Sequence, residues 1–306
     1  MNTAIDLCLT AAPAADECES VERWWPAHQA IAARWPLPID ASIAAGFAAD
    51  RPGWAFASGY QVSLRALVPD LPSDRVAAFC VTEEAGNRPK DLRTTITEDD
   101  SGSLMVSGAK KWSTLGPESA LLLVAGVRGT GERPEVRIAS VPADTPGVRV
   151  EPMPPTRFIP EVPHARIVLD AVRLPAGALL PGDGHDRYVK PMRVFEDIHV
   201  TAALLGYLVR EARHRDWPRD WITNAVAALA TLGQIAQRDP TDAVTHVLLG
   251  GALNATRPLF EQANGHWDAG PDDLSAQRWR RDAVLVGMSG AVREQRLARA
   301  WERLAR

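Results

Sequence analysis

The chain has 306 residues, 46% hydrophobic and 24% charged, which is enough apolar material for two or three core-bearing units. Its net charge of −4 and the lack of a basic stripe argue against a nucleic-acid partner. Three cysteines (Cys8, Cys18 and Cys80) without metal-ligand spacing or even pairing suggest a reducing compartment, so a cytoplasmic location and no metal site are expected. No apolar run approaches the roughly 18 residues of a membrane span, and the first residues lack the basic and apolar regions of a signal peptide.

Residues 1–75 read as a small N-terminal helical domain. Pro26 suits the first turn of one helix, and Asp40 is placed to cap an Ala-rich helix that runs to Ala49. Pro52 opens another, with Trp54, Ala57, Gln61, Leu64 and Val68 at helical spacing. Trp24 and Trp25 are expected to serve packing.

Over residues 76–183 the period changes. Short strand-like runs stand at 77–82, 92–97, 103–108, 120–127, 135–141, 147–151 and 165–172, split by Gly, Pro and Asp turns. That spacing predicts a β-barrel or sandwich. His164, just before the last run, is expected to hydrogen-bond a turn.

From residue 184 the pattern is helical, with helices expected at about 188–214, 218–237, 240–264 and 272–304, packed as a four-helix bundle. The arginines of the last helix are expected to be solvated or paired with Asp282, Glu294 and Glu302 at helix spacing. The fold class is therefore α+β, with domains at 1–75, 76–183 and 184–306.

Two features carry candidate chemistry. The runs ending in Val81-Thr82-Glu83 and in Trp112-Ser113-Thr114 flank the hairpin-type turn Asp99-Asp100-Ser101-Gly102, which would bring the two ends together. Hydroxyls and strand-end N–H groups there could bind a polar planar ring, with Trp112 over one face. Trp and Thr on strands also describe plain core and edge. The second feature is Glu196 on helix 188–214. Val194, Ile198, Ala202, Leu205 and Val209 share one face, and Glu196, Val200, Ala203 and Tyr207 lie nearly opposite. A carboxylate on a second apolar face is expected to have a raised pKa, as suits a base that removes a proton beside a carbonyl. The alternative is an ion pair of Arg193 with Glu196 or Asp197.

Phe79-Cys80-Val81-Thr82-Glu83, with Gly86 to Thr94, and Ser107-Gly108-Ala109-Lys110-Lys111-Trp112-Ser113-Thr114-Leu115-Gly116 resemble, in order, the two middle-domain motifs of the acyl-CoA dehydrogenase family. The resemblance implies helices, a central β-barrel and a C-terminal four-helix bundle. It implies FAD, with Phe79, Val81 and Thr82 on one side of the isoalloxazine and Trp112, Ser113 and Thr114 on the other. Gly86 and Asn87 would meet the pyrophosphate or the CoA. Glu196, ten residues before Gly206, falls where part of the family carries its base. The implied reaction is α,β-dehydrogenation of an acyl-CoA or related acyl thioester, with hydride passing to flavin N5. An electron acceptor and a homo-oligomer, or a pair with a related subunit, are implied as well. A flavin-dependent oxygenase on the same fold and a non-catalytic relative without FAD are the alternatives. The chain departs from the family in a turn one residue shorter, with Asn87-Arg88 in place of Ser-Asp. It also lacks the Arg-x-x-Phe-Gly and Gln-x-x-Gly-Gly-x-Gly elements that hold FAD across a subunit interface.

Overall fold

The computed structural model describes residues 3–129, 135–288 and 290–305. The chain divides into two compact units, one of residues 1–69, 157–161 and 194–306 and one of residues 70–156 and 162–193.

The first unit is helical. It contains α1 (Ala4–Thr10), α2 (Val21–Arg34), α3 (Pro38–Ala48), α4 (Pro52–Leu67), most of α5 (Lys190–His214), α6 (Arg219–Ala236), α7 (Ala243–Ala269), α8 (Leu274–Asp282) and α9 (Gly290–Leu304). Local chemistry sets the starts. The Thr3 hydroxyl and the Asp6 carboxylate form a reciprocal capping box on α1, Ser20 accepts from Arg23 N on α2, and prolines open α3 and α4. Two expected starts are corrected. Leu37 rather than Asp40 caps α3, and Pro26 lies inside α2, which runs straight through it. The expected helix at 272–304 is broken between Asp282 and Gly290, where a short 3₁₀ turn intervenes.

Every residue of α5 from 201 to 212 is buried, as a helix apolar on both sides requires. Its neighbours approach to backbone contact. A Cβ added at Gly46 of α3 would lie 1.9 Å from the Ala203 carbonyl oxygen, and one at Gly59 of α4 would lie 2.7 Å from Val200 Cα. Trp24 and Trp25 pack against aromatic neighbours, as expected. Trp24 and Trp54 stack at 5.6 Å, and their indoles donate to Ser58 Oγ and the Cys18 carbonyl. Most of the late arginines pair across elements: Arg278 with Glu17 and Asp50, Arg293 and Arg296 with Asp197, and Arg281 with Glu161 as well as with Asp282 of its own helix.

The second unit is a seven-stranded sheet: β1 (Ala77–Cys80), β2 (Thr95–Glu98), β3 (Leu104–Thr114), β4 (Leu121–Arg128), β5 (Glu135–Pro142), β6 (Val148–Pro152) and β7 (His164–Leu174). β1 and β2 both pair in parallel with β4, whose other partner is the antiparallel β5. From β2 the ladder runs antiparallel through β3, β7 and β6. Ile96, Val106, Leu122, Val141, Ile167 and Val172 are among the residues of its core. The expected barrel is not closed: among the described residues no ladder joins β5 to β6. The sequence marks strands by their alternation, but closure depends on partners far along the chain, which alternation does not encode.

Candidate functional site

The predicted hairpin exists, with Gly102 N donating to the Asp99 carbonyl, but it joins β2 to β3 and leaves β1 out. β1 reaches β3 by another route. Beyond Cys80 the chain runs on so that the Thr82 carbonyl accepts from Lys111 N at 2.7 Å. Thr82 therefore stands one residue from Trp112 across a backbone hydrogen bond.

At that point β3 is irregular. Its register against β7 shifts between Lys110 and Ser113, so Lys111 and Trp112 bulge from the ladder. Trp112 has φ 60° and Leu115 φ 57°, a conformation that non-glycine residues adopt at a cost of order 1–3 kcal/mol. The bulge turns the Trp112 indole outward to 48% exposure, while Ser113 beside it is buried. His164, at the start of β7, stands edge-on to Trp112 with ring centroids 6.1 Å apart. Its Nε2 lies 3.4 Å from Thr114 Oγ1, and burial lowers its pKa. Phe79 and Thr82 are half-buried, Val81 is buried, and the Cys80 thiol between them is pushed up to about 11 by burial, which makes it inert.

Beneath the bulge lies a buried ion pair. Lys110 is 0% exposed and Glu83 7%. Glu83 Oε1 accepts from Lys110 Nζ at 2.6 Å and from Thr94 N at 3.0 Å, and Oε2 accepts from Arg93 N at 2.7 Å. Burial alone would raise the Glu83 pKa; the Lys110 ammonium and the Thr94 donors outweigh it and hold it below the usual value. Gly108, a second irregular point of β3 at φ 152°, lets Thr94 approach: a Cβ there would meet Thr94 Oγ1 at 2.5 Å.

The turn that carries Gly86 and Asn87 is closed on itself. Glu83 N donates to the Gly86 carbonyl and Gly86 N to the Glu83 carbonyl. Asp91 Oδ2 accepts from Arg88 N and Arg88 Nε, and a Cβ at Gly86 would lie 2.7 Å from that same oxygen. The N–H groups of residues 83, 86 and 88 are thus already engaged, the first two by backbone carbonyls and the third by the Asp91 carboxylate.

Glu196 lies in the other compact unit, half-buried on α5. Of the two ion pairs weighed as alternatives, that of Arg193 with Asp197 gives way to ion pairs of Asp197 with Arg293 at 2.8 Å and Arg296 at 2.6 Å. His199, buried, shares a hydrogen bond with Ser42 at 3.1 Å, and burial holds its pKa down to about 3. Sequence reasoning missed the Glu83–Lys110 pair and the part His164 takes beside Trp112. Lys110 could have been found, because it interrupts the apolar side of a strand whose earlier inward residues are Leu104 and Val106.

Residues 78–172 match the family model described as acyl-CoA dehydrogenase, middle domain. This stretch is a middle domain of the acyl-CoA dehydrogenase family. Among curated relatives, it is 28% identical to benzylmalonyl-CoA dehydrogenase of Aromatoleum aromaticum over 144 residues, which are 46% of this chain and 37% of that one. The matched segment thus spans little more than a third of that dehydrogenase. In fold, the chain resembles butyryl-CoA dehydrogenase of Megasphaera elsdenii, with a TM-score of 0.69 and 17% identity over 88% of this chain and 81% of the other. It also resembles a glutaryl-CoA dehydrogenase of Mycobacterium smegmatis in complex with FADH2, with a TM-score of 0.66 and 15% identity over 97% and 92% of the two chains. Acyl-CoA dehydrogenases therefore share both its middle-domain motifs and its succession of helices, sheet and helices.

Proposed function

We propose that the chain is a flavin-dependent oxidoreductase that removes hydrogen from the α and β carbons of an acyl-CoA or related acyl thioester. The observation that carries the proposal is the exposed Trp112 ring, turned out on a strained bulge one residue from the point where Lys111 N meets the Thr82 carbonyl. An exposed large aromatic beside two hydroxyl-bearing strand ends suits one face of a flat polar ring. The middle-domain match supports flavin as that ring, and the glutaryl-CoA dehydrogenase relative carries FADH2.

The residues present fit the ring end of the cofactor. Phe79, Val81 and Thr82 would line one side, and Trp112, Ser113 and Thr114 the other. They fit the phosphate end less well, since the turn of Gly86 and Asn87 has spent the N–H groups of residues 83, 86 and 88 internally. A bound flavin would supply the acceptor for the β-hydride. The protein's own task would be to take the α-proton, and Glu196 is assigned to it. The carboxylate stands on a helix whose next three turns are wholly buried, so its place is fixed by packing rather than by a mobile loop. Its neighbour Asp197 is held by two arginines and is not available as an alternative base.

The test is direct. Purified protein should show the visible absorption of an oxidised flavin, and an acyl-CoA added without oxygen should bleach it. Glu196→Gln should keep the absorption and lose the bleaching. Normal bleaching in that variant would remove Glu196 from the mechanism. A colourless protein that takes up no added FAD would favour a non-catalytic relative. Bleaching that requires oxygen and a second reductant would favour an oxygenase. The electron acceptor and the oligomeric partner belong to the same proposal, and the family implies both.

A further inference from the structure

The Glu83–Lys110 pair ties together three stretches of chain: the exit of β1 at 81–83, the entry to β2 at 93–94, and the middle of β3 at 110. One residue outward from each partner lie Thr82 and Lys111, joined by their backbone hydrogen bond, and Trp112 follows. We infer that this buried pair is a positioning clamp that sets the spacing between Thr82 and Trp112. The inference rests on the ring-binding reading of those two residues and adds Glu83 and Lys110 to it. Neither clamp residue is placed against the ring.

A plain stabilising role explains the pair less well. Replacing a buried ion pair by well-packed apolar side chains of similar volume is often neutral or favourable, so stability alone does not call for one. What apolar side chains could not do is accept the Arg93 and Thr94 N–H groups, or offer Nζ to the Val81 carbonyl at 3.5 Å. Those bonds fix backbone rather than fill space, and they fix it at the exit of β1 and the entry to β2 from a side chain of β3, to which β1 has no regular ladder. The strained φ at Trp112 needs surroundings that hold it, and the clamp lies two residues away on the same strand.

The test uses the full chain and the double variant Glu83→Gln/Lys110→Met, which removes both charges at nearly constant volume. Three quantities are read: the thermal midpoint, amide hydrogen exchange along the sheet, and the affinity for added FAD by quenching of flavin fluorescence. The double variant is expected to fold with a midpoint close to wild type. Amides of 81–84 and 111–114 should exchange at least tenfold faster, while the β4–β5 ladder is unchanged, and FAD affinity should fall at least tenfold. A folded variant with wild-type exchange at both strand ends and wild-type FAD affinity overturns the clamp, as does a variant whose exchange rises evenly over the sheet. If the double variant does not fold, Glu83→Gln/Lys110→Gln, which removes both charges but keeps polar groups facing each other, is read in the same way. If wild type binds no FAD, exchange alone decides: local acceleration keeps the clamp and drops the flavin reading, and unchanged exchange drops the clamp.

Discussion

Gly46 and Gly233 both lie inside helices, and replacing each by alanine should move stability in opposite directions. Alanine is the better helix former by about 1 kcal/mol, so propensity alone predicts a gain at both. At Gly233 on α6 a new Cβ meets nothing within 4 Å, and the full gain of about 0.5–1 kcal/mol should appear. At Gly46 the Cβ would fall 1.9 Å from the Ala203 carbonyl oxygen, against a floor of 3.0 Å for real contacts. The obstacle is backbone, so α3 and α5 must separate by about 1 Å, and overpacking of this kind costs about 1–3 kcal/mol or more. Net of propensity, Gly46→Ala should lose about 1 kcal/mol or more. Urea unfolding followed by far-UV circular dichroism measures both, with the shift taken from midpoints at equal slope. A Gly46→Ala midpoint at or above wild type would refute the claim that α3 and α5 meet backbone to backbone.

Three further outcomes follow from the site and the helical unit. Trp112→Ala should change stability by less than about 0.5 kcal/mol, because the ring is exposed, yet reduce FAD affinity at least tenfold by fluorescence titration. Asp197→Ala leaves Arg293 and Arg296 without their carboxylate and should cost about 1–3 kcal/mol in the same urea assay. His28 and His199 are held to about 3 by burial, so the native state leaves them neutral while the unfolded chain protonates them below about 6.5. Each should therefore remove about 1.4 kcal/mol of stability per pH unit as pH falls from about 6.5 toward 3. His199→Phe should lower the slope of urea stability against pH by about one such step, and an unchanged slope would exclude His199 as a source.

Much of the fold was legible because its signals are local. All seven strands and the long helices 190–214, 219–236 and 243–269 lie within a few residues of where periodicity and proline place them. The misses have physical reasons. β3 was cut at Gly108, but the strand continues through that glycine and through the Trp112 bulge, both of which break the alternation that marks a strand. The break after α8 was hidden by an amphipathic pattern on either side, although Gly287 and Gly290 are a breaker signal three residues apart. At the candidate site, the motif residues pointed to Thr82 and Trp112, and the hairpin was the wrong reason for their proximity. The contact runs from β1 to β3 directly, and Glu83, Lys110 and Asp91 act through hydrogen bonds that no spacing rule foretells.

The helical unit is assembled from both ends of the chain, with residues 70–156 and 162–193 forming the sheet unit in between. On a ribosome the first 69 residues emerge early, with the surfaces around Gly46 and Gly59 bare, and α5 appears only after the whole sheet has been synthesised. The sheet unit can complete itself first, since all seven of its strands precede α5 along the chain. The early helices must wait for a partner more than a hundred residues downstream, and until α5 arrives the faces it covers stay open to solvent.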